Sequence, residues 1–160
     1  MGRRGAGRTA REPLARQPVT LLRVLLLAFD TSTPAVTVAL HDGTQVVASR
    51  TVVDARRHGE LLAPGIARVL ADAGSSASDL TGIAVGVGPG PFTGLRIGLM
   101  TARAMGDALT IPVSGVCTLD VIAAAVLSAQ PFVVATDARR VGGVDQQTAT
   151  LVGAYITTIG

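Results

Sequence analysis

Val24–Phe29 is an unbroken apolar run that reads as a buried strand. The polar turn Asp30-Thr31-Ser32-Thr33-Pro34 follows, then a second strand at Ala35–Leu40. His41-Asp42-Gly43-Thr44 holds the Asp-Gly dipeptide of a hairpin, and Gln45–Val53 is the third strand. Strands joined by turns this short run antiparallel. A helical pattern covers about Arg57–Ala73 and stops at Gly74, a C-cap residue. Pro64 lies inside it and costs ~3 kcal/mol there, so a kink or a late start is expected. Ile83–Val87 is a fourth strand. A Gly-rich turn leads from it to a second helix over about Thr93–Leu109, with Thr93 as its N-cap. Pro112–Val116 is a fifth strand, Thr118–Ser128 a third helix and Pro131–Thr136 a further strand.

The order β-β-β-α-β-α-β-α-β predicts an α/β domain with a mixed sheet and helices on its faces. It is the order of the ribonuclease-H-like half of the actin/hexokinase (ASKHA) fold. Three segments are expected: a disordered Arg-rich N-terminal extension over 1–23, the ribonuclease-H-like domain over 24–136, and a divergent tail over 137–160.

Composition narrows the chemistry. Apolar residues make up 48% of the chain but aromatic residues only 2%, so Val, Leu, Ile and Ala must build the core. Scarce aromatics argue against binding single-stranded nucleic acid by base stacking. All basic residues are Arg; without Lys there is no P-loop lysine, Schiff base or Ser-Lys dyad. The net charge of +3 comes from the first 23 residues, where six Arg face one acid. The rest carries eight Arg against ten acids, so the basic character does not mark a nucleic-acid surface on the domain. Arg23 interrupts the only signal-like start, and no apolar run reaches the length of a membrane span. Cys117 stands alone, which leaves no disulfide framework. A cytoplasmic protein is expected.

The turn Gly88-Pro89-Gly90-Pro91-Phe92-Thr93-Gly94 lies between strand and helix, where backbone N–H groups cradle phosphates in other α/β folds. Its glycine spacing misses the dinucleotide fingerprint, since Pro91 and Thr93 stand where glycine is needed. Prolines also remove N–H donors. A rigid strand-to-helix corner is favoured; a phosphate cradle stays open. Asp30 in the first strand-end turn either orients a metal–phosphate or caps the turn. Asp30, Thr31, Gly88 and Gly90 are therefore weak candidates for cofactor binding. His58 is followed four residues on by Leu62 rather than a second His, so no metal site is expected. No catalytic residue is assigned.

Both long helices carry more apolar surface than one sheet can cover. In the second, Arg96, Arg103 and Asp107 form a narrow polar stripe between two apolar faces. In the first, Glu60, Arg68 and Asp72 form the stripe and apolar residues fill the rest. A helix–helix interface with another subunit is expected, carried by Leu61, Leu62, Ile66, Leu70, Leu95, Ile97 and Met100.

The segments LLLAFDTST (25–33), RHGELL (57–62), GVGPGPFTGLRIG (86–98), IPVSGV (111–116) and ATDARR (135–140), in this order, resemble the TsaB (YeaZ) family. The resemblance implies an actin/hexokinase-like fold of two ribonuclease-H-like halves. It implies a non-catalytic partner of a threonylcarbamoyl transferase subunit and an ATPase subunit. That assembly makes N6-threonylcarbamoyladenosine at position 37 of tRNAs reading codons that start with A. The catalytic paralogue's metal-binding His pair is matched here by His58 and Leu62, so this chain is not expected to do the chemistry. The family docks by its two helices, here about Arg57–Ala73 and Thr93–Leu109. Two departures stand out: Pro91 replaces a common Ser, and the match fails after about Arg140. A reading frame truncated or frameshifted there is the expectation.

The expected function is thus a dimerisation or scaffold subunit of that tRNA-modifying complex, meeting tRNA indirectly and open to homodimerisation. The alternative is an actin-like-fold nucleotide-binding hydrolase or sugar kinase. No cofactor is expected, with weak ATP or ADP binding left open.

Overall fold

The computed structural model describes residues 23–126 and two short strands at 133–134 and 155–156. Five strands form one sheet in the order β3-β2-β1-β4-β5. They are β1 (Leu26–Asp30), β2 (Ala35–His41), β3 (Val46–Val53), β4 (Gly82–Gly86) and β5 (Val113–Val116). β1 pairs antiparallel with β2, and β2 with β3, as the short turns demand. β4 lies parallel to both β1 and β5. Helices α1 (His58–Asp72) and α2 (Phe92–Leu109) make the crossovers, and α3 (Thr118–Ala124) follows β5. The remaining pair, β6 (Val133–Val134) and β7 (Tyr155–Ile156), is antiparallel. The element order as far as β6 and the mixed sheet are those read from the sequence, whereas β7 has no counterpart in that reading. The expected 1–23 extension and 137–160 tail lie outside the described residues, apart from Arg23 and β7.

Strand alternation sets the core. Leu27 and Phe29 of β1 and Val36, Val38 and Leu40 of β2 point to one face and are buried. The register places Phe29 beside Val38 and Val85. On that face α1 lies over β2 and β3, α2 lies over β4, and the two helices touch. The opposite face is built of small residues, where Ala39, Ala28, Ala84 and Ser114 stand in one row.

The helix ends differ in part from expectation. α1 continues through Pro64 rather than starting after it. The missing N–H leaves only the carbonyl of Glu60 without its donor, on an exposed side where water can serve it. α1 stops in a Schellman arrangement: the Gly74 N–H donates to the Ala71 carbonyl and the Ser75 N–H to the Leu70 carbonyl. Gly74 holds φ +60°, as that cap requires. α2 begins at Phe92 with Pro91 as its N-cap, so Thr93 is inside the helix and not its cap. Proline's fixed φ suits the start of a helix, and its absent N–H is no loss there. No helix among the described residues is long and apolar enough to cross a membrane.

α2 ends on Thr110, an exposed β-branched residue at φ 55°. The left-handed region costs such a residue about 1–2 kcal/mol. Thr110→Gly is therefore expected to stabilise the fold by about 1 kcal/mol, raising Tm by several degrees in a calorimetric scan.

Candidate functional site

The helices α1, α2 and α3 all start at one end of the sheet, beyond the carboxyl ends of β3, β4 and β5. Ligands of open α/β sheets bind at such an end. Here it is filled by the chain itself. The Asp30 carboxylate accepts the Ser32 N–H at 2.7 Å and the Ser32 hydroxyl at 2.5 Å on Oδ1. Its Oδ2 accepts the Thr118 hydroxyl at 2.6 Å. The Thr118 oxygen in turn accepts the Gly88 N–H at 3.2 Å and lies 2.7 Å from the Ser32 oxygen. Two hydroxyl protons serve three oxygen–oxygen contacts. Each hydroxyl donates to one oxygen of Asp30, and the Ser32 N–H also holds Oδ1. Ser32 and Thr118 are buried, so this network ties β1, the Gly-rich turn and α3 together away from water.

The glycines make this closeness tolerable. A Cβ on Gly86 would strike the Asp30 carboxylate, one on Gly90 the Ser32 carbonyl oxygen, and one on Gly94 the Thr31 carbonyl oxygen. A Cβ on Gly98 would lie 2.5 Å from the Thr31 hydroxyl. That hydroxyl donates to the Gly94 carbonyl at 2.7 Å. The structure thus brings Asp30, Thr31, Gly88 and Gly90 together, but onto one another. Asp30, Thr31 and the Gly88 N–H are engaged within the chain. The turn packs as a close corner against Ser32 and Thr118.

His58, at the first residue of α1, is buried, and its Nε2 lies 2.7 Å from the Thr33 carbonyl oxygen. A carbonyl only accepts, so Nε2 carries the proton and is no ligand in this state. The described residues hold no group of three or more His, Cys, Asp or Glu that could hold a metal ion.

The helix faces sort differently from expectation. Leu62, Ile66 and Leu70 lie buried against the sheet with Val69, in the same core as Leu27 and Val38. They are corrected from interface to core. Leu61 and Ile97 are half-buried against that core, and Leu95 is half-buried. Met100 is 57% exposed and stays at the surface. The reason lies in α2. Its buried residues are Gly94, Gly98, Ala102 and Gly106, so the small stripe meets the sheet. The large residues are forced outward. Phe92, 63% exposed, and Leu99 join Met100 there, beside Arg96 and the loosely paired Arg103 and Asp107. Phe92 and Leu99 were missing from the expected interface. The four-residue spacing of small residues from 94 to 106 was the signal that would have found them. Between α2 and β5 runs a groove of about 930 Å³, lined by Val85, Val87, Leu99 and Val113 and rimmed by Arg103 and Asp107. On α1 the exposed side carries Ala63, Pro64, Ala67 and Arg68. The outward surface of both helices is therefore smooth on α1 and studded with large apolar groups on α2.

Comparison with known proteins follows the same line. The family model described as TsaD, tRNA N6-adenosine threonylcarbamoyltransferase, matches residues 45–145. An uncharacterized protein of Mycobacterium tuberculosis is 50% identical over 118 residues, covering 72% of this chain and 54% of its own length. The tRNA threonylcarbamoyladenosine biosynthesis protein TsaB of Escherichia coli is 39% identical over 95 residues, covering 59% of this chain and 40% of its own length. Among solved structures, YeaZ from Pseudomonas aeruginosa superposes with a TM-score of 0.60 at 39% identity, covering 62% of this chain and 46% of that one. The chain spans about half the length of the curated relatives it matches.

Proposed function

Because the chain belongs to the TsaD family of proteins, on its TsaB (YeaZ) side, we propose that it serves in making threonylcarbamoyladenosine in tRNA as a docking subunit rather than as the catalyst. The partner would be the catalytic transferase subunit, with an ATPase subunit in the same assembly and tRNA met through them. The observation that carries this reading is the inverted packing of α2. A helix that turns glycine to its own sheet and Phe92, Leu99 and Met100 to solvent is built to be covered. The second support is chemical. The ring of His58 is tied to the Thr33 carbonyl, and the next position on that helix face is the buried Leu62. The Asp30 network favours this over a nucleotide hydrolase, since the acid is engaged by Ser32 and Thr118.

Co-elution with the host's catalytic subunit on a sizing column tests the proposal. The wild-type chain is expected to co-elute. Met100→Asp, on the outward face, should abolish co-elution with Tm unchanged. A desolvated lone charge at the centre of such an interface weakens binding by at least ~30-fold. Co-elution unaffected by Met100→Asp would count against docking through this face.

A further inference from the structure

Arg96 stands in the middle of the outward stripe of α2. Phe92 lies one turn before it and Leu99 and Met100 one turn after, on the same side of the helix. All three are exposed, and so is Arg96. The carboxylates of the two long helices are unequally shared. Arg68 pairs with Asp72 at 2.9 Å, and Arg103 lies 3.9 Å from Asp107. Arg96 makes no ion pair among the described residues. Water serves its guanidinium only while the stripe stays open. Whatever covers Phe92, Leu99 and Met100 strips that water away, and a desolvated guanidinium without an anion opposes the contact. The covering surface must therefore bring an anion to Arg96.

The surrounding charge says which anion. α1 and α2 together carry three Arg (68, 96 and 103) and three acids (Glu60, Asp72 and Asp107). Polyanions such as RNA bind through many cations at once, and these helices offer no excess of them. The surroundings of Arg96 are apolar instead, and the groove between α2 and β5 opens beside Leu99 and Met100. Such a surface fits a folded protein that presents one carboxylate among apolar side chains. We propose that Arg96 donates a forked pair of hydrogen bonds to a single Asp or Glu of the catalytic subunit, and that this ion pair selects the partner. The inference rests on the docking reading above. A planar guanidinium matches a carboxylate through two parallel N–H···O bonds and gives up its water more readily than an ammonium. Phe92, Leu99 and Met100 supply contact area to any apolar surface. Arg96 supplies the discrimination, because a surface without the acid would bury it unpaired.

Titration calorimetry of the full chain with the host's catalytic subunit, in the absence of tRNA, tests this. Arg96→Glu should weaken binding at least ~30-fold and Arg96→Gln ~10-fold, both at unchanged Tm. Arg50→Glu, an exposed charge reversed on β3, should bind as the wild type does. Surface acids of the catalytic subunit are then replaced by Arg one at a time. One of these variants should bind the Arg96→Glu chain more tightly than it binds the wild-type chain. Arg96→Glu binding at wild-type strength overturns the proposal. So does the lack of any restoring variant, or an equal loss in Arg50→Glu, which would mark a general effect of charge. A loss that arises only once tRNA is added would place a phosphate at Arg96 and overturns it too. If Arg96→Glu lowers Tm, Arg96→Gln decides: unweakened binding overturns the proposal. Met100→Asp separates this inference from the docking reading. If it abolishes binding while Arg96→Glu does not, the ion pair falls and the docking face stands. If it leaves binding intact, the docking face falls and the ion pair with it.

Discussion

Replacing Leu62 with aspartate is expected to unfold the domain rather than merely release a partner. Leu62 is 1% exposed and packs in the core formed by α1 and the first two strands. Truncation to alanine alone should cost about 3 kcal/mol, from lost apolar burial and the cavity left behind. Aspartate adds an unpaired buried charge and should bring the total to at least ~5 kcal/mol. Domains of this size are stable by only about 5–15 kcal/mol. Urea melts followed by circular dichroism should therefore show Leu62→Ala folded with an early midpoint, and Leu62→Asp largely unfolded in water. A folded Leu62→Asp with a near-native midpoint would mean that α1 does not present this residue to the sheet. The contrast with Met100→Asp, the same charge placed on the solvent-facing side of α2, separates core from docking surface.

The second large effect belongs to Gly94. Alanine normally gains about 1 kcal/mol over glycine inside a helix. At Gly94 the added Cβ meets the Thr31 carbonyl oxygen, a backbone atom that cannot rotate aside. α2 must lift from the sheet, and the Thr31 hydroxyl loses its bond to the Gly94 carbonyl. Overpacking against a fixed backbone outweighs the propensity gain, so Gly94→Ala should lose about 2 kcal/mol net. It should also displace the outward row of Phe92 and Met100 and so weaken partner docking. Gly59→Ala is the control. Its Cβ would lie 3.7 Å from Ile97 Cδ1, an ordinary contact, and the variant should be neutral or slightly more stable. Thermal melts of the pair check both. Equal melting temperatures for the two variants would remove the close approach of α2 to Thr31 as a cause of stability.

Much of this was legible along the chain because the strands alternate or run apolar and the turns carry Asp-Gly, Pro and Gly. The strands β1 to β5 lie within two residues of their expected bounds. The interface was less legible, for a physical reason. A helical pattern shows which residues share a stripe, and large apolar stripes are ordinarily the buried ones. In α1 that rule holds, and Leu62, Ile66 and Leu70 are buried. In α2 it inverts, because Gly94, Gly98 and Gly106 let the helix backbone approach the sheet. The polar network was out of reach for another reason. Asp30 and Thr118 are 88 positions apart, and no local pattern announces that they meet. The Gly-rich turn meets Ser32 and Thr118 in the same way, across long stretches of chain.

The way α2 is held has a consequence for how such a protein can diversify. The helix is fastened through its backbone, by glycines and by the Thr31 hydroxyl on the Gly94 carbonyl. Its outward side chains contribute little to that hold. Changes at Phe92, Arg96 or Met100 can therefore alter which surface the chain recognises while the fold stays intact. Partner choice and foldability are mutationally separable on this helix, and a lineage can retune one without risking the other.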